Sequence, residues 1–321
     1  PVLTHKTVTL KYAPPERLFT YPPKPLPEWV LAWQQRWVDL SILSTALILL
    51  SIVLARPRWI SIDASRLKVF RLGFLAFTLI YIGWTVQGQL SIVQVTGALK
   101  SLKSGQGLSS FLYDPISLLL IAFTLITFVV WGRGTFCGWL CPFGALQELT
   151  NAAAQKLGVK QIAVPQALHE RLWVIKYTLF MAILALSFYS MRDALILAEA
   201  EPFKTAISLR FLRAWPFLLF VAALLSAGLF IERFYCRYLC PLGAGLAIPA
   251  KLKIFDWLKR RPQCGRECRM CETKCTVGAI DAIGRINANE CVLCLRCQVI
   301  MNDGTQCPVL KRRARAEGAT P

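Results

Sequence analysis

The stretch Cys264-Gly-Arg-Glu-Cys268-Arg-Met-Cys271-Glu-Thr-Lys-Cys275, followed by Cys291-Val-Leu-Cys294-Leu-Arg-Cys297 and then Cys307-Pro308, decides how the rest of this chain is read. Each half packs three cysteines into one short loop and leaves a fourth outside it. Three thiolates so close together can reach three corners of one iron–sulfur cube. In two-cluster ferredoxins the fourth ligand comes from the other half. That spacing assigns Cys264, Cys268, Cys271 and Cys307 to one 4Fe-4S cluster, and Cys275, Cys291, Cys294 and Cys297 to a second. Zinc is the competing occupant, although zinc sites usually pair two separate C-x2-C knuckles. A disulfide framework does not suit a stretch expected to face the cytoplasm. Haem attachment needs C-x-x-C-H, and Gln298 follows Cys297.

The composition points to a membrane. Of 321 residues 55% are hydrophobic, and the formal charge is +19. The apolar runs are Val38–Ala55, Phe70–Gly88, Pro115–Trp131, Leu172–Ser190 and Ala214–Ile231. Each is near the ~20 residues that cross a bilayer. Arg56, Arg58, Arg66, Lys68 and Arg71 lie between the first two runs, and another basic group follows the fifth. Lys100 and Lys103 alone lie between the second and third, and residues 191–213 are mixed in sign. The positive-inside rule therefore puts the N-terminus outside and the C-terminal part in the cytoplasm. The net charge reads as topology and not as nucleic-acid binding, the basic run Lys311–Arg315 included. The chain opens at Pro1 without an initiator Met, and a further N-terminal part is expected before it. Val8–Tyr12 alternates like a strand, and Trp29, Trp33 and Trp37 recur at a spacing that puts them on one helix face, suited either to an interfacial segment or to ordinary packing.

A second motif occurs twice. Phe136-Cys137-Gly-Trp-Leu-Cys141-Pro142 closes the third run, and Tyr235-Cys236-Arg-Tyr-Leu-Cys240-Pro241 closes the fifth, 99 residues later. Both copies follow runs of the same direction, as expected of a parallel internal repeat. Cysteines at i and i+4 share a helix face with Cβ atoms ~5–6 Å apart, too far for an unstrained disulfide. The prolines place Cys141 and Cys240 at helix N-caps, where the dipole is expected to lower a thiol pKa. Three readings stay open: a shared iron or small iron–sulfur site, redox-active dithiols, or inert structural cysteines. With His5 and His169 as the two histidines, no bis-His haem pair can form between spans, and His169 reads as an interfacial polar residue. Glu199-Ala-Glu201-Pro-Phe-Lys204 reads as a solvated outer loop. No catalytic constellation stands out.

These residues resemble the NosR family of membrane proteins associated with nitrous oxide reductase. The resemblance runs through Gly132–Glu148, His169–Trp173, Glu201–Ile207, Glu232–Ala244, Phe255–Lys259 and Ile286–Cys291. The C-x3-C-P motifs and ferredoxin stretch are shared with the NapH relatives, which resemble quinol dehydrogenase subunits. The resemblance implies an electron-transfer subunit and not a stand-alone enzyme. The resemblance further implies a role in supporting nitrous oxide reductase activity or maturation and a link to nos gene expression. It also implies an N-terminal periplasmic domain with covalently bound FMN, for which no residue can be assigned here. Expected partners are nitrous oxide reductase or its maturation factors, quinol or a cytoplasmic electron carrier, and membrane lipid. A NapH-like quinol dehydrogenase subunit and a membrane redox sensor or regulator acting by contact are the alternatives. Thr276 departs from the pattern, standing where many ferredoxins have Pro.

The expected architecture is an α-helical polytopic bundle of the bacterial inner membrane with five spans and a parallel repeat. A small α+β two-cluster ferredoxin-like domain follows. The boundaries are 1–37 for an extracytoplasmic segment, 38–250 for the membrane domain and 251–321 for the ferredoxin-like domain with its basic tail.

Overall fold

The computed structural model describes residues 27–88, 90–94, 97, 112–255, 258, 260–266 and 268–316. The expected strand at Val8–Tyr12 lies outside them, as do His5, Asp256, Trp257 and Lys259. The principal helices are α1 Trp37–Ala55, α2 Ala64–Phe77 (continued as a π-helix, Thr78–Thr85), α3 Pro115–Trp131, α4 Pro142–Lys156, α5 Gln166–Tyr189, α6 Trp215–Phe230, α7 Pro241–Ala247 and α8 Arg296–Asn302. Among the described residues, three helices can cross a membrane by length and composition: α1, the continuous Ala64–Thr85 helix, and α5. Helices α3 and α6 are apolar but shorter, at 17 and 16 residues.

Local chemistry sets the ends. Asp114 accepts the Ser117 N–H and Pro115 opens α3, while Asp63 caps α2 by accepting the Ser65 N–H. The tryptophan face expected across residues 29–37 is broken, because the first helix stops at Gln35 and α1 starts at Trp37. Trp33 donates its indole N–H to the Leu112 carbonyl at 3.0 Å, while Trp29 and Trp37 stay exposed.

The faces of the spans read as a bundle in lipid. Helix α1 buries Leu43, Leu47, Leu50 and Leu54 in one stripe and leaves Ile42, Ile48 and Ile52 outside. A water-soluble helix would carry polar residues there; lipid accepts isoleucine. Helix α5 buries His169, Lys176, Phe180 and Ile183, so its inward stripe changes from polar to apolar along its length. One hydrophobic cluster runs from Leu43 through Trp139, Phe143 and Tyr235 to Leu295 and Val299. The bundle and the cysteine-rich stretch therefore share a core.

The ferredoxin stretch is not α+β as expected. Among the described residues it contains short helices and isolated bridges, Cys264–Cys268 and Ile280–Ile286, and no strand. The Ile280–Ile286 bridge is flanked by Asn287 N–H to Ala279 O at 2.7 Å and Asp281 N–H to Arg285 O at 3.0 Å. With a cysteine or a turn every few residues, neither side runs long enough for a ladder.

Candidate functional site

The two C-x3-C-P motifs end alike and begin differently. Cys141 and Cys240 are both N-cap residues with nearly equal backbone angles (φ −77°, ψ 114° and φ −72°, ψ 107°). Each Sγ accepts the N–H of the glycine three residues on, at 3.4 Å from Gly144 and 3.2 Å from Gly243. The second motif is an α-helical turn, Phe234–Tyr238, but the first is a π-turn, Phe136–Leu140. The expectation that Cys137 and Cys141 share an α-helical face is corrected accordingly, since the wider turn changes which residues eclipse.

All four thiols line one cavity, together with Arg133, Phe136, Phe203, Val277, Glu290 and Val292. Arginines cross between the motifs: Arg133 donates to Gly243 O at 2.7 Å, and Arg233 donates to Cys137 O at 2.6 Å. The N-cap dipoles do not win here. Burial pushes the Cys141 and Cys240 thiols up, and neighbouring sulfurs push the same way, against the Gly144 N–H and Arg233 at Cys141. As bare thiols they keep their protons; a cation among them would be needed to release the thiolates.

The second ferredoxin set is also brought together. Cys275, Cys291, Cys294 and Cys297 line one cavity with Val277, Ala279, Ile280 and Val292. Backbone N–H groups aim at the sulfurs, Ala279 at Cys275 (3.3 Å) and Leu293 at Cys291 (3.5 Å), the kind of donor that favours a coordinated thiolate. In the first set Cys264 and Cys268 form the isolated bridge, and Arg260 hydrogen-bonds Cys271. Cys307 is reached by Arg261 Nη1 at 3.3 Å. All twelve cysteines are free. Among the described residues no three His, Cys, Asp or Glu side chains converge on a single-ion site. A cubane makes a different demand, one thiolate on each of four separate irons. The two four-thiol cavities are narrow, about 20 Å³ each, so seating a cluster asks the thiols to change rotamer. Donor type and number fit iron–sulfur clusters.

The two cavities touch. Val277 and Val292 line both, and Cys137 packs in the same apolar cluster as Cys275 and Cys291. A neighbouring cluster joins Cys271 to Cys275 and Cys297. Glycine makes the close fit possible: a Cβ on Gly138 would lie 1.9 Å from Val292 O, and one on Gly134 2.7 Å from the Leu293 side chain. Next to Gly138 in sequence, Trp139 donates its indole N–H to Leu293 O at 3.1 Å.

Sequence reasoning missed the buried ions around this junction. Glu148 accepts from Arg71 Nε at 2.5 Å and Arg233 Nε at 2.7 Å. Burial alone would raise its pKa, but Arg71 and Arg233 outweigh it and hold the carboxyl far below its ordinary range. Glu290, next to Cys291, meets Lys176 Nζ at 2.5 Å, Arg133 Nη2 at 3.3 Å and the Tyr177 hydroxyl at 3.0 Å. The available signals were Lys176 inside the run Leu172–Ser190 and Arg71 at the very edge of Phe70–Gly88, since an ionisable residue within a span implies a buried partner. Three expectations are corrected. Arg71 is internal and does not face headgroups, and His169 is buried with Nδ1 3.0 Å from the Tyr238 hydroxyl. Glu201 is buried as well, and burial raises its pKa to about 8 against N–H groups of Ile92 and Leu242.

Comparison with known proteins identifies the family. A NosR family profile matches residues 262–318, and a 4Fe-4S binding domain profile matches residues 113–160 and 213–263. A regulatory protein NosR sequence from Pseudomonas aeruginosa is 52% identical over 86 residues, and this chain covers 86% of it. This chain belongs to the NosR family. Protein NirI of Paracoccus denitrificans is 65% identical over 295 residues, 92% of this chain and 43% of NirI. A longer regulatory protein NosR from Pseudomonas aeruginosa is 49% identical over 295 residues, 91% of this chain and 41% of that protein. The chain thus spans less than half of these two relatives. No solved structure matches it.

Proposed function

We propose that this chain is the membrane and ferredoxin part of an iron–sulfur electron relay, serving nitrous oxide reductase activity or maturation and linked to nos gene expression. The observation that carries the reading is the shared wall: Val277 and Val292 stand between the cavity of Cys137, Cys141, Cys236 and Cys240 and the cavity of Cys275, Cys291, Cys294 and Cys297. Bound 4Fe-4S clusters would supply one-electron oxidation and reduction. Cys264, Cys268, Cys271 and Cys307 would hold one, and Cys275, Cys291, Cys294 and Cys297 the other. The apolar packing around Val277 and Val292 excludes water between adjacent sets, and Arg133 and Arg233 supply positive charge beside the motif thiols.

The C-x3-C-P cysteines form, on this reading, a third iron or small iron–sulfur site. Support comes from four thiols on one cavity and from a 4Fe-4S binding profile covering both motifs. That profile matches twice, which also supports the parallel repeat. Five spans remain our reading. Helix α3, at 17 residues, reaches about 25 Å at the standard rise and meets the lower bound for a span. The charge pattern supports a periplasmic N-terminus and a cytoplasmic ferredoxin part, with the division near residue 250. Quinol or a cytoplasmic carrier would be the donor.

Anaerobic iron, sulfide and zinc analysis with EPR on the same sample tests this. About eight iron and eight sulfide per chain is expected from the ferredoxin stretch. A further iron signal, lost in Cys137→Ser/Cys236→Ser, is expected from the motifs; no change in that variant would leave them as dithiols or structural cysteines. Stoichiometric zinc without sulfide would overturn the relay. The regulatory role in the names of the NosR relatives favours a second reading, a redox sensor acting by contact. It requires a partner that distinguishes oxidised from reduced protein.

A further inference from the structure

The turn leaving α1 carries Arg56, Arg58 and Trp59 on and beside the short helix Pro57–Ile60. It faces the ferredoxin stretch across a cleft of about 660 Å³, lined among others by Arg56, Arg58, Trp59, Arg261 and Met301. The edge is pinned where Asn302 Nδ2 donates to the buried Ser61 hydroxyl at 3.1 Å. Among the described residues, three arginines line this cleft and no carboxylate does. Among the described residues, Arg56 and Arg58 make no ion pair, so their charge lacks a protein partner. Further along the same two spans, α1 and α2 leave an apolar groove of about 590 Å³ lined by Ile42, Leu49, Val69, Phe70 and Phe74.

We propose that these two features form one lipid site. An anionic phospholipid sets its phosphate among Arg56, Arg58 and Arg261, and an acyl chain lies along the α1–α2 groove. Charge complementarity selects an anion, since guanidinium groups match phosphate oxygens two at a time. Depth selects a lipid over an acidic protein. The arginines follow directly on a 19-residue apolar helix, where headgroups already stand, with an exposed Trp59 typical of that layer. The site bridges the bundle and the ferredoxin stretch, because Arg261 also donates to the Cys307 thiol. A headgroup there would stiffen the contact and add negative charge near a proposed cluster ligand. The proposal rests on α1 crossing the membrane and not on the relay, so its test counts lipid and not electrons.

The full chain, reconstituted in nanodiscs of phosphatidylglycerol and phosphatidylcholine, is transferred to mild detergent, and retained lipid is counted by native mass spectrometry. Wild type is expected to keep phosphatidylglycerol selectively. Arg56→Gln/Arg58→Gln is expected to lose about thirtyfold in retention, at roughly fivefold per juxtamembrane arginine. Arg56→Lys/Arg58→Lys, which keeps the charge and loses the paired donors, is expected to fall between the two. Equal retention of the two lipids by wild type would overturn the proposal without any variant, as would a folded Gln variant, judged by an unchanged thermal midpoint in detergent, that still holds phosphatidylglycerol. An acidic cytoplasmic protein held by the same arginines, with no lipid retained, would overturn it too.

Discussion

Glu148 and Glu290 are 2% and 3% exposed, and both are held by cations from distant regions of the chain, yet they join different things. Glu148 gathers Arg71 of α2 and Arg233 from before the second motif, and Arg233 then grips the carbonyls of Cys137 and Gly138. Its ion cluster chiefly ties bundle elements to one another, with Arg296 of the ferredoxin stretch at its edge, 3.9 Å from the carboxylate. Glu290 belongs to the ferredoxin stretch and reaches back to Lys176 of α5 and Arg133. Its cluster ties the ferredoxin stretch to the bundle. Glu201 is the instructive third case, a buried carboxyl bonded by backbone N–H groups. Two buried carboxylates are compensated by cations and serve as clamps, while the third is held in its neutral form.

The comparison breaks most sharply at Glu148. Glu148→Ala leaves Arg71 and Arg233 buried without a counter-charge, and a loss of about 3–5 kcal/mol is expected. Thermal unfolding in detergent should show a large fall in midpoint; an unchanged midpoint would mean the cluster adds nothing. Glu201 should set a pH dependence of a few kcal/mol at most. Its pKa rises from 4.5 to about 8 on folding, so the folded chain keeps a proton that the unfolded chain loses. Its contribution to stability is full below about pH 4.5 and is lost as pH rises through about 8. Glu201→Gln should flatten the stability curve across that window, measured as midpoint against pH.

Glu290→Gln should act on the junction more than on the bundle. The expected result is a bundle that still unfolds near the wild-type temperature, with faster proteolysis in the 253–261 connection, at a cost of about 2–4 kcal/mol in docking. Gly138→Ala sharpens the same contrast, because its new methyl meets Val292 O and must push the Cys291–Cys294 loop away. A loss of about 1–3 kcal/mol is expected, read as altered EPR of the ferredoxin stretch with bundle stability little changed.

The cysteine spacing, the apolar runs and the duplicated C-x3-C-P motif were legible in the sequence because each is a local pattern. Ligand geometry, bilayer thickness and proline at a helix start act over a few residues to a few turns. Long apolar runs named the helices to within a few residues, as at Pro115–Trp131. Local reasoning failed where distant residues decide the environment. Arg71 read as a loop charge, His169 as interfacial and Glu201 as solvated, and all three are buried by segments far from them in sequence. Helix-dipole reasoning predicted lowered pKa values for Cys141 and Cys240, and burial among other thiols reversed the sign.

The sequence by itself determined which thiols are available, how they are spaced and that much of the chain is built for lipid. Tertiary structure alone decided that Val292 presses on Gly138, that Val277 and Val292 line both thiol cavities, that Glu148 clamps the bundle and that Glu290 clamps the junction. The reason is physical: a ligand type is a property of one residue and its neighbours, whereas burial, charge compensation and contact between cavities belong to whichever segments packing brings together.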